Sequence, residues 1–563
     1  MKLNNRLLLP LIVVIGFFLR TTFLDKFPPS PNWDEVSHGY NAFSILETAK
    51  DEWGKFLPLS NFRAYGDYPL ALNLYLTIPF IWVFGLDVFS IRLPHAILGA
   101  LSVITSYYLA IGLTKSKKIS LLSALLVAIE PWNLFLSRFV IQANLSIFFL
   151  TAALALFFNR RNHRFFLPLS FLSFGLTLYS YHTTRIITPL LLFVLLVIFG
   201  KKIKVSCAND IKARLFSICV LVLFFLPLPF ILINPESRAR SSEVFIIDQG
   251  AVNLIEEKRN TTNYPVVVSK LIYNRPVYFV SETIKNYIGY FSPSFLFFKG
   301  GTQHQFSVPD WGLLYTINLP FFYYGGYLLF YKALKKNKNY IFVSFWLLVS
   351  PIVASITKEN FAVLRSTPML PVPQLLTSLG AVSLYKKISK KYNKLSLFVF
   401  CIYLFILLFS VKSYLAVYYK EYAKDYSQDW QYGYKEVVNY AIERYSSYDK
   451  IVTTKKYGEP HEFFLFYTAW NPQKYRNDPN LIRFYQSNWY WVDRFDKFYF
   501  VNDWDIPGEG YELIMESGGK IDCSPDMSKC LLITSPASIP DGWTKLKTIY
   551  FLDGSSAFEI MEN

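Results

Sequence analysis

The sequence predicts a helical domain that crosses a membrane many times, followed by a smaller outer domain of mixed α/β structure. Two observations lead to this prediction: 53% of the 563 residues are hydrophobic, and long apolar runs alternate with short loops rich in Lys and Arg. From about residue 418 onward, shorter helical and strand-like patterns replace the long runs. We therefore divide the chain into residues 1–417 and residues 418–563.

We interpret eleven apolar runs as membrane-spanning helices, the first of which is long enough to cross roughly 30 Å of hydrocarbon. They lie at about residues 7–24, 92–113, 119–136, 143–158, 165–181, 185–200, 214–233, 310–331, 340–357, 361–384 and 395–417. The apolar stretch 68–85 is interrupted by Pro69, Asn73 and Pro79, so we expect it to lie along the membrane surface instead.

Basic residues predict the orientation of these spans. If the N-terminus is inside, the dense Lys and Arg clusters all fall in inner loops, as the positive-inside rule requires. Three parts of the chain then face outward: a first outer loop at 25–91, a long loop at 234–309, and the C-terminal domain. The outer face is where we expect function.

The net charge of +17 does not indicate nucleic-acid binding, because the basic residues cluster between apolar runs in the way that encodes membrane topology. The sequence has no Gly-rich phosphate loop and no metal-ligand spacing among its six histidines. We therefore expect no nucleotide cofactor and no metal.

The C-terminal domain has its own local patterns. Helical spacing appears at 434–444 and 462–470, and strand-like runs appear at 450–454, 497–501 and 531–534. Turn residues separate them. This predicts a small α/β domain.

Two of the five cysteines, Cys523 and Cys530, lie in this outer domain with Pro525 and Asp526 between them. On an oxidising side of the membrane they could pair as a structural disulfide, or they could remain free.

The run Asn32-Trp33-Asp34-Glu35 places two adjacent carboxylates about ten residues after the first span. A carboxylate near the bilayer surface can serve as a base toward a substrate whose tail lies in lipid, and desolvation by Trp33 and Tyr40 would raise its pKa. The alternative is that Asp34 only caps a helix beginning at Glu35, because Asp is a favoured N-cap residue.

Arginines lie at the outer ends of four predicted spans. Guanidinium groups there suit a phosphate, because Arg offers several donors in a fixed fork and stays protonated. The alternative is that each one only extends its charged end to the membrane surface. The four residues are Arg92, Arg138, Arg185 and Arg365.

Several motifs together resemble a known family. The first outer loop holds Asp34-Glu35, Gly39-Tyr40-Asn41, Lys55-Phe56-Leu57-Pro58, Gly66-Asp67-Tyr68-Pro69 and Arg92-Leu93-Pro94. Later stretches are Tyr179-Ser180-Tyr181 with Arg185, Tyr290-Phe291-Ser292-Pro293 and Leu364-Arg365-Ser366-Thr367-Pro368. Over roughly residues 1–400, the chain resembles membrane glycosyltransferases of the GT-C fold. The glycosyltransferase family 39 group, with its protein O-mannosyltransferases and aminoarabinose transferases, is the most similar.

The resemblance implies that a sugar leaves a polyprenyl phosphate and passes, with inversion, to an acceptor hydroxyl on the outer face. Asp34 matches the first acidic residue of the family's pair, which implies the general base. Glu35 matches the second, which would orient the acceptor or the loop. Arg92 matches the arginine that holds the donor phosphate.

This sequence differs from many relatives in the residues expected to bind the donor phosphate. Many relatives have Lys-Pro-Pro where this chain has Tyr68-Pro69-Leu70, so a lysine contact to the phosphate is missing. We expect Arg63 or Arg138 to supply that charge, with Arg185 and Arg365 as further phosphate ligands. Substrate contacts are expected from His38, Tyr40 and Asp67.

The expected partners are membrane lipid, a polyprenyl-phosphate sugar, and a glycan, lipid or protein acceptor. One alternative is a transporter or flippase. Against it, charged residues lie at the outer rim rather than at the midplane, and the two halves of the chain show no symmetry. Another alternative is an outer-surface binding protein whose α/β domain does the work.

Overall fold

The computed structural model describes residues 7–208, 211–234 and 243–563, without the side chains of 202–208. Its contacts divide the chain into two compact units. The helical unit comprises Met1–Thr22, His95–Ser137 and Ile141–Leu415. The mixed unit comprises Phe23–Pro94, Arg138–Val140 and Ala416–Asn563. The first outer loop thus packs in one unit with the C-terminal α/β residues, which differs from our division at residue 418.

A helix lies in each of the eleven predicted apolar runs. The helices from the N-terminus to residue 233 are Leu8–Thr21, Val88–Thr114, Lys117–Ile129, Pro131–Leu136, Gln142–Phe158, Phe166–Leu178, Thr184–Ala208, Ile211–Phe225 and Leu228–Ile233. Those after residue 243 are Gln249–Thr261, Val266–Ile272, Arg275–Gly289, Leu319–Leu334, Lys338–Val349, Ile352–Ser355, Val372–Lys391 and Asn393–Ala416, with a π-helix at Ser294–Lys299. This confirms the predicted helical membrane domain.

Two predicted runs become helical later than expected. The run at 310–331 is an α-helix only from Leu319, and the run at 361–384 only from Val372. In both helices a proline occupies one of the first two positions, where its missing N–H costs no helical hydrogen bond. These prolines are therefore compatible with the observed start of each helix.

Within the described residues, five helices are long and apolar enough to cross a membrane by length and composition. The segments Ile211–Ile233 and Asn393–Asp425 bury only 17% of their most apolar windows, which leaves a hydrophobic surface suited to lipid. The other three are Val88–Thr114, Thr184–Lys201 and Lys338–Ser355.

The mixed unit contains both helices and strands. Its helices are Trp33–Thr48, Leu72–Phe84, Ala423–Asp425, Tyr434–Glu443, Pro460–Tyr467 and Pro472–Arg476. Its strands are β1 Lys450–Thr454, β2 Ile482–Gln486, β3 Trp489–Phe495, β4 Phe498–Val501, β5 Glu512–Ile514, β6 Lys520–Asp522, β7 Cys530–Thr534, β8 Thr544–Tyr550 and β9 Ser556–Glu562. This confirms the predicted C-terminal α/β region.

Seven strands form one sheet in the order β2-β3-β4-β1-β7-β9-β8, and β5 pairs with β6 separately. The central strand β1 runs parallel to β4 and β7, whereas the outer pairs are antiparallel. Val452 of β1 lies beside Tyr499 of β4 and Leu532 of β7. A disulfide joins Cys523 to Cys530 at the start of β7.

The two faces of this sheet pack into separate cores because side chains alternate along a strand. Ile451 lies in the larger core and its neighbour Val452 lies in the smaller one. The larger core also contains Val36 and Tyr40 of the Trp33–Thr48 helix. This shared core explains why the first outer loop and the α/β residues form one unit.

Candidate functional site

The helix that carries the two adjacent carboxylates begins at Trp33 and ends at Thr48. Its N-cap is Asn32, whose side-chain oxygen accepts a hydrogen bond of 3.0 Å from the backbone N–H of Glu35. The alternative in which Asp34 caps a helix beginning at Glu35 is therefore wrong. Asp34 lies in the first helical turn, where the helix dipole favours a negative charge.

The Asp34 side chain is exposed, and the buried Tyr65 hydroxyl donates a hydrogen bond to its carboxylate. Burial and the nearby Asp34 charge raise the pKa of Tyr65 well above its usual value, so Tyr65 stays protonated and keeps donating. The Tyr65 ring stacks on Trp489 at 5.1 Å between centroids, and the Tyr490 N–H donates to the Tyr65 carbonyl at 3.4 Å. Tyr65 is thus a fixed support for an accessible carboxylate.

The structure does not show the expected desolvation of Asp34 by both Trp33 and Tyr40. Tyr40 is buried, and its hydroxyl donates to the Trp470 carbonyl at 3.0 Å. Trp33 lies against Gly458, where a Cβ atom would come within 1.8 Å of the indole ring. Gly458 also has φ +115°, a conformation that favours glycine. A side chain at position 458 would therefore displace Trp33 from its place at the start of the helix.

Glu35 lies next to Asp34 in the chain but is fully buried. Arg92 donates to it through two bonds, Nε to Oε1 at 2.9 Å and Nη2 to Oε2 at 2.7 Å. The Val140 backbone N–H also donates to Oε1, at 2.9 Å. Both charged side chains are 0% exposed, so this is a buried, two-point ion pair. Glu35 thus joins two separate segments of the mixed unit.

Arg92 uses its remaining N–H groups on the backbone that precedes the helix. Nη1 donates to the carbonyls of Leu24 and Pro28 at 3.1 and 2.9 Å, and Nη2 donates to the carbonyl of Ser30 at 2.8 Å. With the two bonds to Glu35, all five guanidinium donors are engaged. A donor phosphate could bind Arg92 only if one of these bonds were exchanged. The phosphate role of Arg92 stays a prediction.

Arg138 also lies in the mixed unit and is buried. Its guanidinium lies over the rings of Tyr418 and Tyr419 at 5.5 and 5.4 Å, and Nε donates to the Tyr418 hydroxyl at 3.2 Å. Nη2 lies 3.4 and 3.3 Å from the carbonyls of Phe23 and Phe27. These contacts fix the entrance of the first outer loop.

Arg63 is partly exposed and belongs to the same loop as Tyr65. Its guanidinium lies over Trp53 at 5.1 Å and over Tyr490 at 4.7 Å. Stacking on aromatic rings leaves the planar N–H donors of an arginine directed sideways, where they can meet an anion.

The other two predicted arginines belong to the helical unit. Arg185 is buried, and its Nε donates to the Leu178 carbonyl at 3.2 Å. Arg365 forms an ion pair with Glu359 and is partly exposed. Their phosphate roles stay predictions.

Among the residues predicted to contact substrate, His38 and Tyr40 are buried and Asp67 is partly exposed. His38 Nε2 lies 3.3 Å from Thr77 Oγ1, and burial lowers the pKa of His38 to about 3. The neutral imidazole and the Tyr40 ring pack in the interior of the unit. Substrate contact by either would require them to leave it, whereas Asp67 is accessible where it stands.

Sequence reasoning missed Tyr65 and Trp489, which hold the exposed carboxylate in place. The only local signal for Tyr65 was its position directly before the Gly66-Asp67 motif. Trp489 begins β3, a strand with bulky aromatic residues that we did not predict.

The comparison with known families supports the resemblance seen in the sequence. Residues 13–234 match the family of dolichyl-phosphate-mannose-protein mannosyltransferases. The matched segment includes Asp34, Tyr65 and Arg92 but is less than half of the chain. The resemblance to this mannosyltransferase family is thereby confirmed over that segment. No curated protein matches the sequence.

Three solved structures are similar to the chain. The apo oligosaccharyltransferase of Archaeoglobus fulgidus has a TM-score of 0.49 and 14% identity, with 84% of this chain and 64% of that chain covered. Apo ArnT of Cupriavidus metallidurans has a TM-score of 0.48 and 10% identity, covering 99% and 97%. The S. cerevisiae Pmt1-Pmt2 complex bound to its sugar donor has a TM-score of 0.31 and 19% identity, covering 47% and 37%. The chain thus spans about two thirds of the length of the archaeal enzyme.

Proposed function

We propose that this protein is a membrane glycosyltransferase that passes a sugar from a polyprenyl phosphate to an acceptor hydroxyl, with inversion, on the extracytoplasmic side. The match of residues 13–234 to the mannosyltransferase family supports the reaction class. The observation that carries the proposal is the exposed carboxylate of Asp34, held by a buried Tyr65 that stays protonated.

Asp34 acts as the general base. As the acceptor oxygen forms a bond to the anomeric carbon, Asp34 takes the hydroxyl proton, and the bond from that carbon to the phosphate oxygen breaks. The electron pair leaves on the polyprenyl phosphate. A well-placed base typically supplies about 100- to 10,000-fold in rate.

Glu35 has a positioning role in this proposal. Its carboxylate is buried and already bound to Arg92 and to the Val140 N–H, so an acceptor cannot reach it. The pair fixes the backbone that leads into the helix of Asp34, since Arg92 also binds the carbonyls of Pro28 and Ser30.

Arg63 is the arginine of the mixed unit that we propose for the donor phosphate. It is partly exposed, and it lies two residues from Tyr65 in the loop that supports Asp34. A guanidinium already in place stabilises the negative charge that develops on the departing phosphate. This would supply the charge for which many relatives have a lysine.

Two observations support an extracytoplasmic site. The basic clusters between apolar helices favour an inner location for the loops that carry them. The disulfide between Cys523 and Cys530 is typical of an oxidising compartment, and it lies in the same unit as Asp34.

The test is sugar transfer by the purified full-length protein in detergent, with a panel of radiolabelled polyprenyl-phosphate sugars and hydroxyl acceptors. We expect at least one donor to lose its sugar in a reaction that Asp34→Asn abolishes and that Glu47→Gln, which changes an exposed carboxylate of the same helix, retains. Movement of the intact donor across a liposome membrane, without sugar transfer, would instead support a flippase.

A further inference from the structure

A cluster of two carboxylates and one imidazole lies inside the mixed unit, apart from the exposed Asp34. Glu52 follows the Trp33–Thr48 helix, and His461 and Glu462 lie in the first turn of the Pro460–Tyr467 helix. All three side chains are at least 96% buried, and their ligand atoms all lie within 4.8 Å of one another. The two segments are remote in the chain but adjacent in this unit.

One carboxylate oxygen of this cluster, Oε2 of Glu462, is buried and has no hydrogen-bond partner in the structure. The residues that follow Glu462, Phe463 and Phe464, are completely buried in the hydrophobic core. A buried polar atom without a partner lowers the stability of the folded protein. A ligand that binds the lone pairs of the cluster would remove this cost.

Carboxyl groups outnumber cations around the cluster. Glu52, Glu459 and Glu462 bring three carboxylates, and the nearby cation Arg483 binds Glu52 with Nη2 at 3.1 Å from Oε1. Lys455 is already shared between two other carboxylates, those of Asp493 and Glu516.

The imidazole is oriented as a metal ligand would be. Nε2 of His461 lies 3.7 Å from Oε1 of Glu462, close to the roughly 3.4 Å that separates two ligands of one Zn²⁺ ion at usual bond lengths. On the other side of the ring, Nδ1 lies 3.4 Å from Oε2 of Glu459. The indole N–H of Trp489 in turn donates to Glu459. A carboxylate behind a histidine is the usual second partner of a metal-bound imidazole.

We propose that Glu52, His461 and Glu462 bind a divalent transition-metal ion, with Zn²⁺ the best fit to one imidazole and two carboxylates. The ion ties the end of the Trp33–Thr48 helix to the start of the Pro460–Tyr467 helix. Its role is structural, because the ligands are buried. The proposal does not depend on the glycosyltransferase reaction.

The experiment uses the full-length protein in detergent, stripped with a chelator and then reloaded with Zn²⁺ alone. We expect about one zinc per chain by elemental analysis, as for one three-ligand site, and a higher melting temperature with zinc than without. Glu462→Gln and His461→Asn should each weaken zinc binding at least tenfold. Glu512→Gln, which changes an exposed glutamate, is the matched control and should bind zinc as the wild type does.

Reloading with Co²⁺ gives a readout that does not depend on the variants. A wild-type protein with the visible absorption of a low-symmetry cobalt site supports the proposal even if a variant fails to fold. Two results would overturn it. One is a wild-type protein that retains no zinc and has the same melting temperature with and without added zinc. This result would mean that protons, and not a metal ion, are bound by the carboxyl groups of the cluster. The other is equal zinc binding by wild type and by a folded Glu462→Gln variant.

Discussion

The replacement of Asp34 by Asn separates the proposed catalytic role of this residue from folding. Asn is almost the same shape as Asp, and its side-chain oxygen can still accept the hydrogen bond that Tyr65 donates. The helix keeps its cap, because Asn32 and not Asp34 performs that role. What disappears is the ability to take a proton.

The expected effect on stability is small. Asp34 is exposed, and its favourable interaction with the helix dipole is worth about 0.3–1 kcal/mol. A loss of this size shifts the melting temperature of a unit of this length by less than about 4 °C. The expected effect on transfer is about 100-fold or more, which corresponds to at least about 2.7 kcal/mol in the barrier.

The assay measures initial rates of sugar release from the polyprenyl-phosphate donor, normalised to folded protein. Glu47→Gln is the matched control, because it removes an exposed carboxylate from the same helix. Tyr65→Phe tests whether the hydroxyl of Tyr65 orients the Asp34 carboxylate. We expect a reduced rate with Asp34 still present, since the carboxylate loses this hydrogen bond. A folded Asp34→Asn protein with the wild-type rate would refute the assignment, as would an early-melting variant with normal activity per folded molecule.

Three further outcomes are expected. Arg92→Ala leaves Glu35 buried without its partner, which should lower the stability by about 3–5 kcal/mol. A variant with the wild-type melting temperature and weaker donor binding would instead favour the phosphate role of Arg92. Burial lowers the pKa of His38 from 6.5 to about 3, so its contribution to stability is complete above about pH 6.5 and falls by about 2 kcal/mol at pH 5. Melting curves of His38→Asn should therefore depend less on pH between 7.5 and 5, and an unchanged dependence would contradict this. In intact cells, an impermeant thiol reagent should label Pro540→Cys but not Ser116→Cys, and the reverse pattern would refute the topology.

Local patterns were enough to find many of the elements. Strands predicted at 450–454, 497–501 and 531–534 appear as Lys450–Thr454, Phe498–Val501 and Cys530–Thr534. Apolar residues and flanking turns mark these strands, and both signals lie within a few residues. Local patterns were also enough to predict the apolar helices, because their length and composition set them apart from the loops.

The site depended on contacts that a local pattern cannot show. Asn32 and Asp34 are both good capping residues two positions apart, and only the reach of the Asn32 side chain to the Glu35 N–H decides between them. The hydrogen bond from Tyr65 joins residues that are remote in the chain. The proposed metal cluster also joins remote residues, because Glu52 lies far in sequence from the Pro460–Tyr467 helix. The spacing of histidines in the sequence cannot reveal a metal ligand that comes from another segment.

The two adjacent acids lie in the first turn of the helix but in different surroundings. Successive residues on an α-helix point about 100° apart, so neighbouring side chains can contact different parts of the protein. Here Asp34 points outward and Glu35 inward. The buried member needs a fixed counter-charge to be tolerated, and Arg92 provides it while binding the backbone before the helix. The cost of burying Glu35 is thus offset by contacts that hold the accessible Asp34 in one place, which is what a general base requires.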